Sequence, residues 1–277
     1  MIRYNSLNVK TMLRIIFLFI ILIPSSALAI SFDGKFIQGH FIIGKTQPKT
    51  EIWIDKKKIK VTKDGYFVFG IGRDRKYDIV ITSKKDGKKI ETVKKIQKRK
   101  YKIQRIDGLP EKKVTPPKEV YERIKKENEI IAEARAIESN LTFFKNKFIN
   151  PLDNAIVTGV YGSQRILNGK PKWPHYGIDF AADKGTKIKA MLDGIVTMAE
   201  PDLFYTGGTL IFDHGHGIST LYMHMEKISV KKGQKVKQGD IIGTVGSTGR
   251  STGAHLDVRL NWFNVRLDPA TVINIKQ

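Results

Sequence analysis

Lys232-Gly233-Gln234-Lys235-Val236-Lys237, followed by Gly239-Asp240-Ile241-Ile242-Gly243, decides the fold, because an earlier part of the chain runs to the same pattern. There Lys184-Gly185-Thr186-Lys187-Ile188-Lys189 is followed by Asp193-Gly194-Ile195-Val196. Each copy places a glycine turn before a short alternating run, then a second turn before a β-branched run, which is the pattern of a strand–turn–strand unit. A unit used twice implies a compact antiparallel β domain with internal pseudo-symmetry. Thr209-Leu210-Ile211-Phe212 and Ser219-Thr220-Leu221-Tyr222 read as further strands between tight turns. This texture begins at Asn150-Pro151, so a domain over residues 148–277 is expected.

Three histidine-bearing segments lie inside that domain: His175-Tyr176-Gly177-Ile178-Asp179, Tyr222-Met223-His224, and Gly253-Ala254-His255-Leu256-Asp257-Val258. The chain has no cysteine, which excludes disulfides, thiolate metal sites and cysteine nucleophiles. Any metal must therefore be held by His, Asp or Glu. Alternate side chains of a strand share a face, so His255 and Asp257 point the same way. His175 and Asp179 share a face in extended structure and on a helix alike. Imidazoles and carboxylates gathered on neighbouring strands suit zinc, which takes nitrogen and oxygen ligands at about 2 Å and keeps a position open in catalytic sites.

A longer set of motifs makes the domain recognisable. Tyr161-Gly162 precedes His175-x-x-x-Asp179, and a glycine-rich strand ends at Asp213-His214-Gly215-His216-Gly217. Leu221-Tyr222-Met223-His224-Met225 follows, then Val236-Lys237-Gln238-Gly239-Asp240-Ile241-Ile242-Gly243-Thr244-Val245-Gly246-Ser247-Thr248-Gly249 and Thr252-Gly253-Ala254-His255-Leu256. Over about residues 148–270 the chain resembles the lysostaphin/LytM-type zinc metallopeptidases, which cut peptide bonds in bacterial peptidoglycan. The resemblance implies a two-sheet antiparallel β fold built from a duplicated motif, in agreement with the repeat. It implies one zinc ion with His175 and Asp179 as ligands. The family's second motif is His-x-His, whose second histidine is the third ligand. Here it reads His255-Leu256-Asp257, so Asp257 is the expected third ligand. An oxygen donor adds negative charge to the site, which makes a metal-bound water less acidic and shifts preference towards harder ions.

The resemblance also implies His224 and His255 as a catalytic pair. One acts as general base, the other stabilises the oxyanion or protonates the leaving amine, and His255 is the favoured base. The expected activity is a peptidoglycan metalloendopeptidase. The alternative is a non-catalytic member that binds cell wall and activates a separate amidase, its site disarmed by Asp257. No substrate-binding residue is assigned. Arg165, Arg250 and Arg259 lie near the motifs and are read either as carboxylate-binding groups or as surface residues. His214, His216 and His40 are read as structural.

Ahead of this domain the composition changes. The 277 residues carry 49 Lys and Arg against 27 Asp and Glu, a net of +22. Only +4 of this belongs to residues 148–277, while Ile30–Lys147 hold +15. Residues 30–108 read as a small β-sandwich-like module: Glu51-Ile52-Trp53-Ile54-Asp55, Tyr66-Phe67-Val68-Phe69 and Tyr77-Asp78-Ile79-Val80-Ile81 are strand-like, with Asp64-Gly65 and Asp86-Gly87 as turns. Residues 109–147 form a linker. Its helix is expected from Pro116-Pro117 to about Asn140, capped by Thr115 and carrying a thin apolar stripe of Val120, Ile124, Ile131 and Ala134. The chain is thus expected to be mainly β, with a connecting helix.

Residues 1–29 place Arg3, Lys10 and Arg14 before the apolar run Ile15–Ile23 and end in Ala27-Leu28-Ala29, the pattern of a cleaved secretory signal peptide. Export excludes nucleic acid as a partner and favours peptidoglycan, and the basic module is expected either to dock on wall or an anionic envelope surface or to cover the catalytic groove until displaced. A periplasmic location is expected.

Overall fold

A computed structural model describes residues 29–154 and 156–273. All but the last residue of the expected signal peptide lies outside the described residues.

The two sequence repeats clasp each other. Lys187–Lys189 of the first pairs antiparallel with Ile241–Val245 of the second, and Lys235–Val236 of the second pairs antiparallel with Gly194–Leu203 of the first. Their lysines face solvent while Ile188, Val236 and Ile242 are buried, as the alternation requires. Around this clasp runs a mainly antiparallel sheet in the order Lys235–Val236, Gly194–Leu203, Gly207–Gly215, Ile218–Ile228, His255–Trp262, Ile178–Ala181 and Ile156–Gly159.

Ile218–Ile228 belongs to two partnerships. From Ile218 to Met223 it pairs with His255–Trp262, and from Met225 it pairs with Ile241–Val245. His224 sits at the change of partner, with a left-handed backbone (φ 61°) and its N–H donating to Thr206 O at 2.8 Å. Such a conformation is costly for a non-glycine residue and breaks the alternation of faces.

The amino-terminal module holds two sheets. Ser31–Asp33, Phe41–Lys45 and Tyr66–Gly70 form one, and Lys57–Ile59, Glu51–Ile54, Ile79–Lys85 and Lys88–Lys94 form the other, each in that order. Ile42, Ile52, Phe67, Phe69, Ile79 and Ile81 are buried between them. Lys88–Lys94 is the exposed edge strand, and its lysines discourage pairing with another chain. The core of this module is continuous with that of the carboxy-terminal domain. At the junction Phe41 meets Phe148 edge-on at 6.4 Å, and Arg99 Nη1 holds Asp268 Oδ2 at 2.7 Å.

Ile103–Ile106 adds itself parallel to Gln164–Leu167 of the carboxy-terminal domain. The helix is shorter than its composition predicts, Tyr121–Ala136, preceded by a 3-10 turn over Lys118–Val120. Thr115 caps neither; it accepts a hydrogen bond from Lys170 Nζ at 2.9 Å instead. Ile130, Ile131 and Ala134 pack on Met198, Leu203, Ile211 and Leu221, and Glu127 Oε2 accepts from Phe204 N at 2.8 Å. The second half of the helix carries the apolar contact, because the gap at Glu127-Asn128 interrupts the stripe.

Candidate metal centre

Asp179 and Asp257 face each other directly across the pair formed by Ile178–Ala181 and His255–Trp262, so both carboxylates rise from one face of the sheet. Backbone clearance makes room for them. A Cβ on Gly159 would stand 2.2 Å from Asp179 Oδ2, and one on Gly177 would stand 2.4 Å from Asp257 Oδ1. His175, in the loop leading into Ile178–Ala181, completes the cluster. Its Nε2 lies 3.1 Å from Asp179 Oδ1 and 3.3 Å from Asp257 Oδ2. Donor atoms about 3.3 Å apart are the edges of a tetrahedron whose bonds are about 2 Å long, the zinc value.

All three residues are buried, and Asp179 Oδ1 makes no hydrogen bond among the described residues. His175 Nε2 stands 3.1 Å from it, so this buried carboxylate oxygen is relieved either by a proton on that imidazole or by a cation in its place. The other oxygen, Oδ2, is held by Arg165 Nη2 at 2.6 Å, so the arginine turns Oδ1 towards His175. Asp257 is gripped by Arg259, with Nη2 at 3.0 Å from Oδ2 and Nε at 3.3 Å from Oδ1. The donor set therefore fits one divalent ion: His175, Asp179 and Asp257 would hold it, backed by two arginines.

The charges are interlocked. Burial works against a charged His175, and the Asp257 and Asp179 carboxylates outweigh it, so its pKa is raised. Burial pushes Asp257 up, but Arg259 and His175 win and hold it well below the usual carboxylate range. Asp179 is lowered in the same way, burial being overcome by His175 and Arg165.

His224 and His255 stand beside the triad with ring centres 4.6 Å apart. Each ring is anchored through Nδ1 to a backbone carbonyl, His224 to Thr248 O at 2.8 Å and His255 to Gly253 O at 2.9 Å. A carbonyl only accepts, so each Nδ1 carries the proton and each Nε2 is left as a lone pair. Burial, reinforced by repulsion from His255, pulls His224 down to about 4, so this imidazole is neutral at pH 7. Both rings line a cleft of about 310 Å³ that also holds Asp179 and Arg165. One wall of the cleft is Gln104 and Ile106 from the end of the amino-terminal module and Leu109 from the linker.

The five site residues read from the sequence are thus brought together. Three features escape sequence reasoning: Arg165 and Arg259 as partners of the acidic ligands, the clearance at Gly159 and Gly177, and the wall of Gln104, Ile106 and Leu109. The spacing Asp257-x-Arg259 carries a usable signal, since residues two apart on a strand share a face. His214 and His216 are structural. His214 is fully buried, its Nδ1 2.7 Å from Asp193 O and Nε2 2.8 Å from Thr220 Oγ1, and the His216 ring sits 4.9 Å from Phe144.

A family model described as Peptidase family M23 matches residues 173–269. This stretch is an M23 peptidase domain. Peptidoglycan DD-endopeptidase ShyA of Vibrio cholerae serotype O1 is 46% identical over 87 residues, 31% of this chain and 20% of ShyA. Peptidoglycan DD-endopeptidase ShyC of the same organism is 35% identical over 138 residues, 49% of this chain and 31% of ShyC. The chain thus spans less than a third of the length of these relatives. Among solved structures, a Pseudomonas aeruginosa protein described as an M23 peptidase superposes with a TM-score of 0.67 at 25% identity. That match covers 86% of this chain and 95% of the other, so the shared fold extends beyond the M23 domain into the preceding module.

Proposed function

We propose that the chain is an exported zinc-dependent endopeptidase that hydrolyses peptide bonds in peptidoglycan. The observation that carries this reading is the buried triad of His175, Asp179 and Asp257, with His175 Nε2 3.1 and 3.3 Å from the two carboxylates, all three donor atoms within 4.8 Å of one another, and two imidazoles beside it. The DD-endopeptidase relatives supply the substrate class, and the pattern of residues 1–29 supports export to the periplasm.

When bound, the ion supplies Lewis acidity towards the scissile carbonyl and a water of lowered pKa. The chain's own groups handle the protons. We assign proton acceptance to His255, half-buried in the cleft, with Nδ1 fixed by Gly253 O and Nε2 free. The same ring can return the proton to the leaving amine. An imidazole held neutral down to about pH 4 is a poor base at pH 7, so His224 serves as a hydrogen-bond acceptor that orients the attacking water. With its Nδ1 proton committed to Thr248 O, it has no N–H to offer an oxyanion.

One observation favours the second reading, a wall-binding regulator: the Arg259 guanidinium already engages both oxygens of Asp257. Metal analysis separates the two. The endopeptidase reading expects about one zinc per purified chain and almost none in His175→Ala. A metal-free chain that still binds peptidoglycan overturns it in favour of the regulator.

A further inference from the structure

A second cavity, about 680 Å³, opens beside the triad between the M23 domain and the linker residues Val114–Asn128. Five cationic side chains line it, Arg165, Lys172, Arg250, Arg259 and Arg266, and among the described residues no Asp or Glu does. Two of the five are neutralised, Arg165 by Asp179 and Arg259 by Asp257. Arg250, Arg266 and Lys172 have no carboxylate partner within salt-bridge distance among the described residues.

The two unpaired arginines are poorly solvated and thinly bonded. Arg266 donates from Nη1 to Asn261 Oδ1 at 2.8 Å. Arg250 donates from Nη1 to Lys113 O at 3.3 Å and stacks 4.5 Å from the Tyr205 ring centre. Burial lowers the pKa of both, Arg266 to about 10. Cations withdrawn from water without a counter-charge are costly, and a structure retains such groups where an anion comes to them.

We propose that this cavity binds a free carboxylate of the substrate peptide, with Arg250 and Arg266 as its contacts. Three observations choose this ligand. Planar guanidinium groups match a carboxylate in bidentate fashion, which a lysine cluster does not. The walls include Trp173, Tyr176 and Tyr205, suited to the apolar parts of a peptide. Arg165 and Arg250 line both this cavity and the cleft with the two histidines, so a peptide whose scissile bond lies at the triad can extend into the arginines. The volume is within the range of about 300–1,000 Å³ usual for small-ligand sites. This proposal rests on the peptidase reading and specifies it: the preferred substrate carries a free carboxylate within a residue or two of the cleaved bond.

The test is a calorimetric titration of the full chain carrying His255→Ala, so that the peptide is not turned over, with N-acetyl-D-alanyl-D-alanine and with its carboxy-terminal amide. Amidation takes the negative charge from the group that the arginines hold, and it should weaken binding by about tenfold or more. Adding Arg250→Gln or Arg266→Gln should bring acid and amide to within about twofold of each other by the same reasoning. Equal binding of acid and amide by the His255→Ala chain overturns the proposal, as does an acid preference that survives both arginine changes. If Arg266→Gln does not fold, shown by loss of its thermal transition, Arg250→Gln decides. Inorganic phosphate is titrated alone in parallel; tighter binding of phosphate than of the acid peptide overturns the peptide assignment. Peptidoglycan release by the parent chain is measured separately. Failure there with the acid preference intact counts against cleavage alone, and the reverse counts against the pocket alone.

Discussion

The resemblance implies a histidine as third ligand where this chain carries Asp257, and the sequence alone implies a more negative, less activating site. Arg259 changes that conclusion. Its fork neutralises the added carboxylate, so the pair presents roughly the charge of one neutral ligand. Arg165 does the same for Asp179 while leaving Oδ1 unbonded. Breaking a buried ion pair from one side typically costs about 3–5 kcal/mol, because the remaining charge is stranded. Arg259→Gln should therefore lower the thermal midpoint of the metal-free protein, and added zinc should restore more of it in the variant than in the parent. Differential scanning calorimetry with and without zinc measures this; an unchanged midpoint in Arg259→Gln would refute the compensation. The Asp257–Arg259 pairing is legible in the spacing of one strand. The Asp179–Arg165 contact is not, because it joins residues from separate elements whose pairing only the fold decides.

The strands place chemistry through their irregularities as much as through their alternation. Ile218–Ile228 changes partner at His224, which turns that side chain into the cleft at the cost of a left-handed backbone. The motif locates His224 in the sequence, but no local pattern reveals a change of partner. The neighbouring strand Gly207–Gly215 carries a different kind of histidine. Burial holds His214 down to about 4, against about 6.5 for an exposed imidazole. Below about pH 6.5 the unfolded chain takes up a proton there that the folded chain refuses, so stability falls as pH drops towards about 4 and this contribution levels off below. His216 and His224, also near 4, act in the same direction. Urea midpoints across that window should fall steeply for the parent and less steeply for His214→Gln. Equal slopes would show that His214 is not neutral in the fold.

The whole molecule is a mainly β chain in which the basic module and the M23 domain share one apolar core. The interlocking repeats are legible because each carries its own turn and alternation. The pairing of Ile103–Ile106, at the end of the amino-terminal module, is not, since its parallel partner Gln164–Leu167 is distant in sequence and a four-residue apolar–polar run has no signature of its own. That strand walls the cleft, so the segment ahead of the M23 domain shapes the site. The +15 carried by Ile30–Lys147 lies outside the M23 domain. Digestion of purified peptidoglycan by the full chain tests the proposed catalysis by the triad and its histidine pair most directly. We expect soluble fragments with fewer cross-links, lost on chelation, restored by zinc, and absent with His255→Ala. Undiminished release by His255→Ala, or an intact polymer with the zinc-loaded chain, would contradict the account.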